Sequence, residues 1–353
     1  MRALHKKIRR LLSKVDFEAL WPGFKVYPFA LYNHERVCFA DGEIPWNQSF
    51  LGNTSIEYDG RLIAIWSVED EAEQENIERL TANIVHEMFH AWQKEREEKR
   101  YPDDLALLIK ADDCLFYELK LRENEYLAKA YNEANLSIKK ELLLAFARLR
   151  QSRLLRFPAA TKEEALVESL EGTAEFVGSS ALQQLAPGDF DMLIASYLAN
   201  LERLDRGLFD LRRKAYFSGT VLLHIANELG LEFNPCPKDN DLTIFEMLFP
   251  DIDAQEIDFE ARAEISELFS DYQSDLAEEI QAIEKKTKLR ELDARICGYD
   301  PMNMERLGDD LICRNFVMIK SGDKQQFIEG AVVLKMKPKD PYKLWAYRLE
   351  DSQ

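Results

Sequence analysis

NIVHEMFHAWQ, residues 83 to 93, sets His86 and His90 four positions apart with Glu87 directly after the first. The chain has only five histidines in 353 residues, so this spacing is not what chance favours. In a helix, positions i and i+4 share a face one turn apart, and two imidazoles so placed can point at one spot in space. Glu87, rotated by about 100°, would approach a water on a metal held there rather than the metal itself. Zinc makes such a water acidic, and a carboxylate in that position can take its proton as it attacks a carbonyl. Ile84, Val85, Met88, Phe89 and Trp92 give the same helix a dry side. Taken alone, the motif also fits an ordinary half-buried helix.

A catalytic zinc site uses three protein ligands and one open position. After His90 the chain continues AWQKEREEK, with no histidine, so a third ligand must come from elsewhere. ALVESLEGTAEFVG, residues 165 to 178, is the best source, with Glu168, Glu171 and Glu175 at spacings of three and four. On an α-helix these carboxylates share one stripe, where they repel by a few tenths of a kcal/mol per pair unless a cation lies among them.

HEMFH followed well downstream by EGTAEF resembles the gluzincin metallopeptidases, the thermolysin-like zincins in which a second helix contributes a glutamate. The resemblance implies a zincin-like core, Zn2+ as cofactor, His86, His90 and Glu171 as metal ligands and Glu87 as general base. Glu168 and Glu175 stay as alternative ligands or as partners that orient the histidines. By the same resemblance, Gly172 and Ala174 are small so that the ligand helix can approach the HExxH helix closely. The oxyanion donor is expected from RRKAYFSGTVLLHIANELG, with Tyr216 preferred to His224, which sits in an apolar run. An edge strand along the cleft is expected within FLGNTSIEYDGRLIAIWS, with Asn53 and Ala64 to Trp66 as its candidate residues. Arg212 and Arg213 read either as binders of a substrate carboxylate or as surface charges. The resemblance covers about residues 50 to 98 and 160 to 183, with a weaker echo near 216.

Around these helices the reading is α+β and mostly helical. Strands are expected at 24 to 32, 36 to 40 and 61 to 67, then helix from about residue 73. Further helices are expected at 103 to 134, 137 to 155, 161 to 184, 188 to 203, 208 to 229 and 254 to 287. Thr161 and Glu164 read as a capping box. NFVMIK, QFIEGAVVLKMK and KLWAYRLE close the chain as strands. This gives a metallopeptidase domain over 1–288, with a helical insertion at about 103–155 that could roof the cleft, and a small C-terminal antiparallel β segment over 289–353.

A formal charge of −18, from 46 basic and 64 acidic residues, repels phosphate backbones and anionic lipid, so neither nucleic acid nor membrane is the expected partner. No stretch approaches the roughly 20 apolar residues that span a bilayer, and MRALHKKIRRLLSKV is basic and amphipathic rather than a secretory signal. Cys38, Cys114, Cys236, Cys297 and Cys313 form no CxxC pair, which argues against a disulfide framework and a thiolate zinc site. The expectation is a cytoplasmic zinc hydrolase acting on a peptide or protein. The competing readings are a zinc-stabilised binding or regulatory module without catalysis and a helical scaffold with an accidental HExxH. Cleavage specificity and oligomeric state do not follow from the sequence.

Overall fold

The computed structural model describes residues 1–69, 76–109, 111–233, 238, 241–338 and 340–349. The expected onset of helix near residue 73, and Cys236, lie outside them. The remaining cysteines are free thiols. Among the described residues, no helix is long and apolar enough to cross a membrane.

The chain opens with α1 (Arg2–Leu12) and α2 (Phe17–Leu20), followed by β1 (Phe29–Tyr32), β2 (Arg36–Cys38), β3 (Glu43–Pro45), β4 (Thr54–Tyr58) and β5 (Arg61–Ser67). The helical body comprises α3 (Ile77–Glu95), α4 (Asp104–Leu107), α5 (Cys114–Asn132), α6 (Leu136–Arg156), α7 (Pro158–Val167), α8 (Thr173–Leu185), α9 (Pro187–Glu202), α10 (Leu211–Glu228), α11 (Ile244–Leu248) and α12 (Ala263–Lys286). Seven strands follow: β6 (Lys288–Tyr299), β7 (Met304–Leu307), β8 (Asp310–Cys313), β9 (Phe316–Ser321), β10 (Lys324–Glu329), β11 (Val332–Met336) and β12 (Lys343–Leu349). The fold is α+β, with a helical body and a sheet at each end.

The first sheet runs in the order β3-β2-β1-β5-β4, with β1 and β5 parallel and the other pairs antiparallel. β4 and β5 form a hairpin whose turn, Asp59-Gly60, has positive φ at both residues, as a two-residue hairpin turn demands. β3 and β4 are the two edges of this sheet, and β4 is the edge next to α3. Ala64 to Trp66 belong to β5, an interior strand paired on both sides, which corrects their assignment to the edge. α3 packs beneath this sheet, and Lys94 near its end donates to the Ser55 carbonyl of β4. Ile84, Val85, Met88, Phe89 and Trp92 are all buried in the main core, where Phe89 and Trp92 stack and Trp21 and Phe24 meet them edge-on.

Several expected boundaries shift for local reasons. The 103 to 134 helix is broken, because Asp103 caps the short α4 and Asp113 caps a fresh start at α5. α7 begins at Pro158 rather than Thr161, since proline suits a first helical turn. Thr161 is inside that helix, donating to the Phe157 carbonyl at 2.9 Å, and Glu164 is bound by Lys120 and Arg153, so the expected capping box is absent there. A capping box does form between Thr243 and Glu246 at α11. α12 starts at Ala263, nine residues later than the expected helix at 254.

The second sheet, ordered β10-β9-β6-β12-β11-β8-β7, is antiparallel throughout. Its apolar face packs with Leu105 and Leu108 next to α4, while Ile312 and Val333 join the core that holds Phe269, Tyr272 and Leu276 of α12. The sheet is thus fastened to the helical body by shared core.

Candidate metal centre

Three ligand-type atoms converge between α3 and the helical run that begins with α7. His86 Nε2 and His90 Nε2 are 3.1 Å apart, and Glu171 Oε2 lies 3.0 Å from His90 Nε2 and 3.6 Å from His86 Nε2. The other ring nitrogens are already committed. His86 Nδ1 faces Glu175 Oε2 at 2.9 Å, and a carboxylate accepts only, so this nitrogen carries the proton. His90 Nδ1 faces Gln93 Oε1 at 2.7 Å; Gln93 Nε2 donates to the Leu170 carbonyl and to Thr173 Oγ1, which fixes the amide orientation and makes His90 Nδ1 a donor too. In the neutral imidazoles both Nε2 lone pairs therefore point at each other and at the Glu171 carboxylate. That arrangement repels itself unless a positive charge sits among the three atoms.

The dimensions suit zinc. A tetrahedral centre with bonds of about 2.0–2.1 Å has ligand-to-ligand edges of about 3.3–3.4 Å, against the 3.0, 3.1 and 3.6 Å found here. His86, Glu87 and His90 can also bring one ligand atom each within 4.8 Å of one another. Of the two carboxylates Glu171 is the better ligand, since it approaches both imidazoles directly while Glu87 keeps a looser distance. Electrostatics agree. Burial works against a charged imidazole, yet the hydrogen bonds to Glu171 and Glu175 and the nearby Glu87 hold the His86 pKa well above 6.5. Burial works equally against a charged Glu171, but His90 and His86 keep its carboxyl well below the usual range. These three side chains could hold a metal ion.

Glu171 stands in a π-helical turn, Glu168–Gly172, between α7 and α8. The wider turn leaves backbone carbonyls that hydroxyls help to satisfy: Ser169 Oγ donates to the Ala165 carbonyl, and Thr173 Oγ1 to those of Ser169 and Leu170. It also breaks the expected carboxylate stripe. Glu171 and Glu175 face α3, whereas Glu168 is held by Arg150 at 2.8 Å and by Ser218 in a separate buried cluster. Glu168 is thereby removed from the ligand candidates. Glu175 is the partner that orients His86, and the Tyr197 hydroxyl donates to its other oxygen.

Gly172 has a different partner from the one expected. A Cβ on Gly172 would lie 2.8 Å from Gly219 Cα, so this glycine permits contact with α10 and not with α3. Gly178 makes the approach to α3, where a Cβ would meet the Ala82 carbonyl at 3.0 Å and His86 Cβ at 3.2 Å. Arg212 is not a free surface charge: its side chain is 12% exposed, lines the cleft and donates to Glu171 Oε1 at 2.9 Å and to Asp104. Arg213 pairs with Asp210 on the surface.

Glu87 is buried but lines the cleft, and no donor among the described residues is within hydrogen-bond distance of its carboxylate. Burial raises its pKa, with His86 and His90 opposing. Tyr216 lies parallel to the His86 ring at 6.2 Å and also lines the cleft. Burial, then the Glu171 carboxylate, holds its pKa well above 10, so it carries a proton to donate. His224 is a core residue between Phe176 and Phe190, bonded to Ser179 Oγ, and burial lowers its pKa to about 4.

The cleft encloses about 650 Å3. One wall is Leu51 to Thr54 beside the edge strand, with Asn53 Oδ1 accepting from Ser67 N. The facing wall is Tyr299 to Met302 and Phe316 of the second sheet, so this sheet, and not the helices at 103–155, borders the metal centre. Among the described residues of that helical stretch, Asp104 reaches the centre through Arg212. Sequence reasoning missed Gln93, Tyr197, Asp104 and the Tyr299 to Met302 rim. Gln93, three residues after His90 on the same face, was the one with a readable signal. Compared with known proteins, the chain matches no family model, no curated protein and no solved structure.

Proposed function

We propose that this protein is a zinc-dependent hydrolase of the gluzincin type that cleaves a peptide bond in a peptide or protein substrate. The observation that carries the reading is the convergence of His86 Nε2, His90 Nε2 and Glu171 Oε2 with both Nδ1 positions committed as donors. Supporting a zincin-like core are the edge strand β4 beside the histidine helix and the second helical run that delivers the glutamate.

His86, His90 and Glu171 would hold the metal. When bound, zinc supplies a Lewis acid that acidifies water and polarises a carbonyl. Glu175 and Gln93 fix which ring nitrogens are free, and Arg212 holds the far oxygen of Glu171. Glu87, uncommitted and raised in pKa by burial, is the general base that takes a proton from the attacking water and passes it to the leaving amine. Tyr216 donates its hydroxyl hydrogen to the developing oxyanion. A buried carboxylate without a partner serves no purpose in a purely structural site, and for this reason the hydrolase is preferred to a non-catalytic zinc-stabilised module.

Elemental analysis of the purified protein, wild type against His86→Ala and Glu171→Ala, tests the centre. One zinc per chain in the wild type and none in the variants is expected; a zinc-free wild type, or variants that keep the metal, would sink the reading. Glu87→Gln should retain zinc and lose peptide hydrolysis by about 100-fold or more.

A further inference from the structure

We propose that Arg79 and Asn83 form a carboxylate-binding subsite of this cleft, which anchors a peptide substrate about three residues from the scissile bond. The proposal rests on the peptidase reading above. Arg79, Asn83 and His86 fall at positions i, i+4 and i+7 of α3, one face of the helix, and all three line the cleft. Arg79 and His86 are two turns, or about 10 Å, apart along the axis, the reach of roughly three extended residues.

Among the described residues neither polar group is committed to a partner, and Arg79 acts on the Glu175 carboxylate only at longer range. Among the described residues no carboxylate lies within ion-pair distance of the Arg79 guanidinium, and no partner is within hydrogen-bond distance of the Asn83 amide. The other arginine lining the cleft, Arg212, is already bound to Glu171 and Asp104. Helix stability gives no reason for Arg79. It is the third residue of α3, after the N-cap Asn76, where the helix dipole disfavours a cation and where glutamate is the preferred residue. A half-buried guanidinium kept there, facing the cleft beside an amide that can bond a peptide backbone, matches a carboxylate in charge and in its two-pronged geometry. The overall charge of −18 would by itself draw basic peptides. Glu87, Glu171, Glu175 and Asp300 also line the cleft, so a preference for carboxylates is confined to the Arg79 end, within the screening length of about 8 Å.

The test uses the full-length Glu87→Gln chain with zinc in the buffer, so that bound peptides survive, and a library of acetylated hexapeptides with free or amidated C-termini. Retained peptides should be enriched in carboxylates, and Arg79→Glu should weaken them about tenfold and select lysine or arginine at the same position. Arg79→Lys should keep the acidic preference. Enrichment lost on amidation assigns the subsite to a C-terminal carboxylate, and enrichment that survives assigns it to an Asp or Glu side chain. Because glutamate suits the third position of a helix, the reversed variant is expected to fold with an unchanged or higher Tm. Selection that ignores residue 79, or a library from which nothing is retained, overturns the subsite. A charge preference that follows residue 79 in a chain that binds no zinc and cleaves nothing would keep the subsite and remove the hydrolase.

Discussion

Two groups of buried carboxylates hang from one helical run, residues 164 to 175, and they are compensated in opposite ways. In the first, Glu123, Glu164 and Glu168 meet Lys120, Arg150 and Arg153, three negative charges against three positive ones, with every partner buried. Burial raises the Glu164 pKa less than the three cations lower it, and the carboxyl stays well below its ordinary range. In the second, Glu87, Glu171, Glu175 and Asp104 surround two imidazoles, and one guanidinium, Arg212, makes ion pairs with this group. Lys94 and Arg79 lie further off. The first group closes its own charge balance and is structural. The second has more carboxylates than guanidinium partners among the described residues, and under the proposed reading a divalent cation would balance it. An open charge balance in a cleft is a better marker of a working site than burial of charge alone.

The sharpest way to break this comparison is Arg150→Met. It strips Glu123 and Glu168 of a partner that no cofactor replaces, and a loss of about 3–5 kcal/mol is expected in urea unfolding. The zinc content should not change. A loss under 1 kcal/mol would mean that the first cluster is not the self-sufficient one.

A second contrast is between His86, ringed by carboxylates, and His224, which touches none. His224 is lowered from 6.5 to about 4 by burial. Between these values the unfolded chain binds a proton that the folded chain refuses. The stability is therefore complete above pH 6.5 and falls by about 3 kcal/mol as the pH drops to 4. Urea midpoints against pH for the wild type and His224→Gln should diverge over this window. Parallel curves would show that His224 is not the group responsible.

The smallest expected effect refines the second cluster. Glu175→Gln keeps the shape but gives His86 Nδ1 a neutral partner, and zinc affinity should fall about 10–100-fold without loss of fold. Competition with a chromophoric chelator measures it. Equal affinities would make Glu175 a packing residue.

Much of the centre was legible because its signals are local. Helical periodicity places His86 and His90 on one α3 face with Glu87 rotated to its side, and the apolar residues between them required a buried helix, as found. The strands β2 and β5 and most helices were likewise legible from residue type and 3.6-residue spacing, whereas β3 was not expected. The single stripe of Glu168, Glu171 and Glu175 was misread because an α-helix was assumed where a π turn occurs, and one extra residue in a turn rotates a carboxylate onto another face. Gly172 was given the wrong neighbour for a related reason: a glycine announces a close approach but not the partner, and Gly219 lies 47 residues away. The strand β6 was lost at the end of a charged helix, because its exposed face carries Lys, Arg and Glu with little apolar alternation.

By itself the sequence determined the chemistry on offer: two histidines and a glutamate at helical spacing, a second helix with a glutamate beside small residues, and a tyrosine downstream. Tertiary structure decided that Glu171 and Glu175 face the histidines while Glu168 does not, that Gln93 holds His90, Tyr197 holds Glu175 and Arg212 holds Glu171, and that Tyr299 to Met302 wall the cleft. Spacing along one helix fixes angles within that helix, whereas the meeting of α3, the π turn, α10 and β6 is set by how separate apolar faces pack, and no local pattern encodes it.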